Sequence, residues 1–98
     1  MGVLHLVSRS PGESQAFAQC LARVGEGDAL VLLEGGVYAA LAGHADALAL
    51  RQVEIYAVSA DLAARGIAEE ALAEGVAVVD YAGLVELSLR HSPSLSWL

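Results

Sequence analysis

Four short apolar runs constrain this chain more than any other feature: Val3–Val7, Ala29–Leu33, Val53–Val58 and Val76–Val79. Each is continuous or nearly continuous in Val, Leu, Ile and Ala rather than alternating. That pattern belongs to strands covered on both faces, as in a parallel sheet. Parallel neighbours need long crossovers, and helical patterns fill the intervals between the runs. At 98 residues there is room for one core. The expectation is a single-domain α/β fold over residues 1–98: a mostly parallel sheet of about four strands, flanked by helices and wound with right-handed crossovers.

The intervals carry their own punctuation. Ser10-Pro11-Gly12-Glu13 places Ser, Pro and Glu where a capping box wants them, so a first helix is expected to start there. Phe17, Cys20, Leu21 and Val24 then form one apolar stripe at helical spacing, ended by Gly25 or Gly27. Glu34-Gly35-Gly36 closes the second run, and a helix is expected from Val37 to Leu41. Ala45 to Arg51 either resumes that helix or wanders. Asp61 and Arg65 form an i,i+4 pair before Gly66, and Ala68–Glu74 reads as an acidic helical stretch. Asp80 opens a last helix through Arg90, with an exposed Glu86–Arg90 pair. Ser92-Pro93 stops it.

Charge and composition exclude several functions. Twelve acids against five bases, all arginine, give a net charge of −7. A surface of that kind argues against direct nucleic-acid binding, which needs clustered Lys and Arg. One cysteine forms neither an internal disulfide nor a multi-thiolate metal site, and it fits a reducing compartment. The opening residues lack a basic stretch and a small-residue cleavage site, so no secretory signal is expected. The longest apolar run, Gly35–Leu50, is interrupted by Gly43, His44 and Asp46, too short and broken to span a bilayer. A soluble cytoplasmic protein with no membrane contact is the expectation. Phosphate-loop, dinucleotide and nucleophile-elbow motifs are absent, and His5, His44 and His91 share no metal-type spacing. No cofactor and no metal are expected.

A few residues remain that can carry function. Cys20 is either a sulfur-accepting nucleophile or a small buried hydrophobe on the helix stripe. His5 is either a satisfied core histidine or part of a polar pocket with Ser8 and Arg9 at the carboxyl ends of the strands, where open α/β sheets bind ligands. Glu34-Gly35-Gly36 is either a tight turn or an anion-binding loop. The run Gly35–Leu50 carries the single charge Asp46 and has almost nothing to show water. Val37, Tyr38 and Leu41 are therefore expected to form a subunit interface. Trp97 and Leu98 either fold back on their own core or pack on a partner.

His5 with Ser8-Arg9-Ser10-Pro11, the run Glu34 to Gly43, Asp61-Leu62 with Arg65-Gly66, Val79-Asp80-Tyr81 with Val85, and Trp97 together resemble the TusB/DsrH family of sulfur-relay subunits. The similarity runs essentially the whole length. The resemblance implies a DsrE/F/H-like α/β fold. It also implies assembly with two paralogous subunits, of the DsrE/TusD and DsrF/TusC types, into a heterohexamer that passes persulfide sulfur between carrier proteins. One branch of such relays serves 2-thiolation of the tRNA wobble uridine, the other dissimilatory sulfur oxidation. In those complexes the main persulfide cysteine sits on the DsrE/TusD-type paralogue, on a loop where this chain has no Cys. DsrH-type members do carry a first-helix cysteine, which Cys20 in Gln19-Cys20-Leu21 matches. The implied role is mainly structural, with Cys20 a secondary sulfur site. The alternatives are a sulfurtransferase that uses Cys20 as persulfide acceptor and a homo-oligomeric small-ligand module near His5 and Ser8. Gly35 stands where the family carries Asp, so this loop lacks the side chain that a polar role would need.

Overall fold

The computed structural model describes residues 2–41 and 53–97; the stretch 42–52, which contains most of the expected continuation to Leu50, and Leu98 lie outside the described residues. Five strands form one parallel sheet: β1 (Leu4–Val7), β2 (Ala29–Leu32), β3 (Glu54–Val58), β4 (Val76–Val79) and β5 (Ser94–Trp97), in the order β4-β3-β2-β1-β5. The four expected runs are all strands, within a residue at each end. The fifth strand is a correction. Ser-Leu-Ser-Trp pairs with β1 in register Leu4↔Ser94 through Val7↔Trp97.

Strand order dictates which face each crossover covers. From β1 to β4 the chain steps in one direction, so right-handed connections all fall on one face. There lie α1 (Ala16–Arg23), the 3₁₀ segment Glu34–Ala40 and α2 (Ser59–Ala64). They bury Phe17, Cys20, Val24, Val37 and Leu62 against Val7, Leu30, Leu32, Ile55 and Ala57. The return from β4 to the free side of β1 runs the other way. It puts α3 (Tyr81–Arg90) on the opposite face, where Leu84 and Leu87 meet Leu4, Ala29, Val31 and Val58. Alternate strand residues thus serve two cores, which is why the runs are apolar throughout.

Several local expectations change. Ser10 does not cap α1. Its carbonyl accepts from the N–H groups of Glu13 and Ser14, and its hydroxyl accepts from Gly12 N, so 10–14 is a turn. The helix starts at Ala16, whose N–H is held by Ser14 Oγ at 3.0 Å. The expected helix from Val37 to Leu41 is instead the tight 3₁₀ segment Glu34–Ala40 followed by an extended Leu41, and 68–74 holds only a 3₁₀ turn at Glu69–Ala71 between extended Ala68 and Leu72. Asp80 does cap α3, accepting from Gly83 N at 2.8 Å, and the helix ends at Arg90 ahead of a cis Ser92–Pro93 bond. Glu86 and Arg90 do not make the expected ion pair; Arg90 lies against Tyr56 instead.

Gly36 shows how tightly the carboxyl ends of β1 and β2 are packed. A Cβ there would stand 2.0 Å from the carbonyl oxygen of Val7, which is backbone and cannot swing aside. Gly36→Ala is therefore expected to lower the unfolding free energy by about 3 kcal/mol, measured by urea denaturation. A loss within error of zero would mean that this approach is not as close as described.

Candidate functional site

Among the described residues the densest polar arrangement is built around Asp28. Val24 ends α1, and a turn follows in which Asp28 N donates to Gly25 O at 3.0 Å while Gly27 takes φ +88°, a conformation that glycine adopts without strain. The turn aims the Asp28 carboxylate back into the fold. Oδ1 accepts from Val3 N at 2.9 Å; Oδ2 accepts from Gly25 N at 3.1 Å and meets His5 Nε2 at 2.8 Å. Burial opposes ionisation, but these hydrogen bonds and the His5 side chain outweigh it and hold the Asp28 carboxyl below its ordinary value of 3.8.

His5 is buried beside it in β1, and its other nitrogen is occupied too. Trp97 Nε1 lies 3.0 Å from His5 Nδ1, and the two rings stack at 6.0 Å between centroids and 24° between planes. An indole N–H only donates, so Nδ1 must accept and carries no proton. Nε2 then holds the imidazole hydrogen and donates it to Asp28. Trp97, His5 and Asp28 form one directed chain of hydrogen bonds that ties β5 to β1 and to the turn before β2. Of the two readings of His5, the satisfied core residue is the one found: both ring nitrogens have partners, and neither partner is Ser8 or Arg9.

Cys20 faces the same core from α1 and is fully buried. Burial, and secondarily the negative charge of Asp28, push its thiol up to about 12. A thiol in that environment is overwhelmingly protonated at neutral pH, the opposite of an activated sulfur nucleophile.

The expected interface residues scatter. Val37 is wholly inside the domain's own core, Tyr38 is 39% exposed, and Leu41 is half-buried in a β-bridge with Leu72. Trp97 folds back on its own core, and Leu98 is outside the described residues. Sequence reasoning missed a larger apolar surface. Tyr81, Val85 and Leu89, spaced i, i+4, i+8 on α3, are 55%, 59% and 81% exposed. The signal was present in that spacing, but α3 carries a second apolar set, Leu84 and Leu87, and it is the second set that meets the sheet.

A hollow of about 320 Å³ between α2 and β4 is lined by Ser59, Leu62, Ile67, Glu69, Glu70 and Val78, and none of the expected site residues borders it. Among the described residues no group of three acids, histidines or cysteines is placed to hold a metal, and no helix is long and apolar enough to cross a membrane. Glu34 adopts φ +51° on the surface at the carboxyl end of β2, a left-handed conformation unusual for a residue with a Cβ.

A small parallel α/β domain with this strand order is a DsrE/F/H-like fold. The ychN protein of Escherichia coli matches it with a TM-score of 0.76 over 99% of this chain and 100% of its own, at 20% identity. Tm0979 of Thermotoga maritima matches with a TM-score of 0.67 over 87% of this chain and 88% of its own, at 25% identity. Sequence gives the closer placement. The DsrH-like protein family matches residues 9–94, and Protein TusB of Escherichia coli and of Shigella boydii is 36% identical over 97 residues, 97% of this chain and 100% of TusB. The chain belongs to the TusB/DsrH family.

Asp28 joins three hydrogen bonds, so Asp28→Asn, which keeps the shape and removes the charge, is expected to cost about 2 kcal/mol at neutral pH. A carboxyl with a depressed value contributes stability that is full above its ordinary 3.8 and is lost as pH falls through the lower folded value. Stability-against-pH curves should therefore show a fall below that point in the unmodified protein, and the Asn variant should lack the Asp28 share of it.

Proposed function

We propose that this chain is an interface subunit of a cytoplasmic sulfur-relay complex, in which persulfide sulfur passes between carrier proteins on its way to the wobble uridine of tRNA or, in the other branch, through sulfur oxidation. Membership of the TusB/DsrH family supports the relay. The state of Cys20 carries the choice of an interface role: a wholly buried thiol with its pKa pushed up to about 12 is not the group that receives sulfur in the conformation described. The persulfide-bearing cysteine then belongs to a DsrE/TusD-type paralogue, with a DsrF/TusC-type paralogue completing a heterohexamer.

The docking surfaces proposed are the outward stripe Tyr81, Val85 and Leu89 and the edge at Tyr38 and Leu41, with Val37 supporting that edge from inside, the half-buried Trp97 at the end of β5, and Leu98, which follows it in the sequence. An apolar helix face this open on a chain of net charge −7 suits a partner that covers it. The acidic balance fits contact with proteins rather than with tRNA itself.

Two measurements test the reading. Purified with an affinity tag from cells that express its genomic neighbours, the chain should retain two paralogues of similar size; recovery of the chain alone would count against the complex. Incubated with a persulfide donor, the isolated protein should show no gain of one sulfur in its intact mass. A gain that disappears in Cys20→Ala would establish the sulfurtransferase alternative instead.

A further inference from the structure

The Trp97–His5–Asp28 chain has a property that a simple structural contact lacks: one of its links accepts only one protonation state. We propose that the His5–Trp97 contact is a proton-operated latch, in which protonation of His5 at Nδ1 expels the Trp97 indole from the sheet while the His5–Asp28 contact persists. A proton taken from solvent onto Nδ1 would place two N–H donors 3.0 Å apart with no acceptor between them. Nε2–H keeps its carboxylate acceptor, and the new positive charge lies 2.8 Å from Asp28 Oδ2. The protonated ring thus keeps its partner at Asp28 and loses the one at Trp97. The indole is half-buried on a strand at the edge of the sheet, so it has somewhere to go. The backbone ladder between β5 and β1 need not break for the side chain to leave.

Among the described residues no other titratable group facing His5 competes for this role. The inward titratable group of α1 is Cys20, a thiol that stays neutral throughout the range in which histidines titrate; Arg23 and Glu26 beside it are exposed. Strands β2 and β5 place Leu30 and Leu95 opposite His5 in the register, and the turn before β2 contributes Asp28. Asp28, held below its ordinary 3.8, stays ionised throughout that range. Tyr56 and Arg90 belong to the other face, under α3.

Trp97 is the only tryptophan, so its fluorescence reports the latch directly. Between pH 8 and pH 5 its emission should shift to the red and its quenching by acrylamide should rise severalfold, with far-UV circular dichroism unchanged. In His5→Gln the amide oxygen accepts from the indole and the amide NH₂ donates to Asp28, but the side chain does not titrate; the rise should disappear. Accessibility that does not change with pH, or a change that survives in His5→Gln, would each overturn the latch.

Discussion

The carboxylate of Asp28 is the point through which the amino-terminal strand, the turn after α1 and the edge strand β5 are held together. It accepts from Val3 and Gly25 on the backbone and from His5, and His5 in turn accepts from Trp97. None of these groups could be buried alone: an unpaired carboxylate, imidazole or indole N–H inside the sheet would each cost more than a hydrogen bond returns. Together they satisfy one another. The arrangement also explains why a strand as short and polar as Ser94–Trp97 stays paired to β1. Its backbone ladder is supplemented by one large ring fixed to a buried histidine.

The two faces of the sheet are finished differently, and that difference bears on function. One face is closed by α1, the 3₁₀ segment and α2, and there Cys20 and Val37 are sealed inside. The other carries α3, which turns Leu84 and Leu87 inward and leaves Tyr81, Val85 and Leu89 outward. A helix with apolar residues on opposite sides has use for two neighbours, of which the sheet is one. For a member of the TusB/DsrH family the open face and the closed thiol point the same way, toward a subunit whose surface matters more than its sulfur chemistry.

Much of this was legible in the residues. The four strands stood out because burial on both faces leaves no polar alternation, and Asp80 announced α3 because a side-chain acceptor three residues before Gly83 N has few other uses. The burial of Cys20 followed from its place on the stripe with Phe17 and Leu21. Other features were ambiguous for physical reasons. Ser10-Pro11-Gly12-Glu13 satisfies a capping box and a turn equally well, and only the distance to Ala16 decides. β5 alternates Ser and Leu or Trp, the pattern of an edge strand, but four residues after a proline are too few to separate it from a tail. The bond between His5 and Asp28 joins residues 23 positions apart and has no local signature. The apolar surplus was sought between Gly35 and Leu50, whereas the exposed stripe described lies on α3. Periodicity alone does not say which of two apolar stripes meets the core.

The tautomer of His5 is the most direct test of this account. Long-range ¹H–¹⁵N correlation spectra at neutral pH distinguish a protonated from an unprotonated ring nitrogen. The hydrogen-bond chain requires the hydrogen on Nε2 and a bare, accepting Nδ1, with the Trp97 indole N–H protected from exchange. A His5 ring protonated at Nδ1, or an indole N–H that exchanges freely, would contradict it.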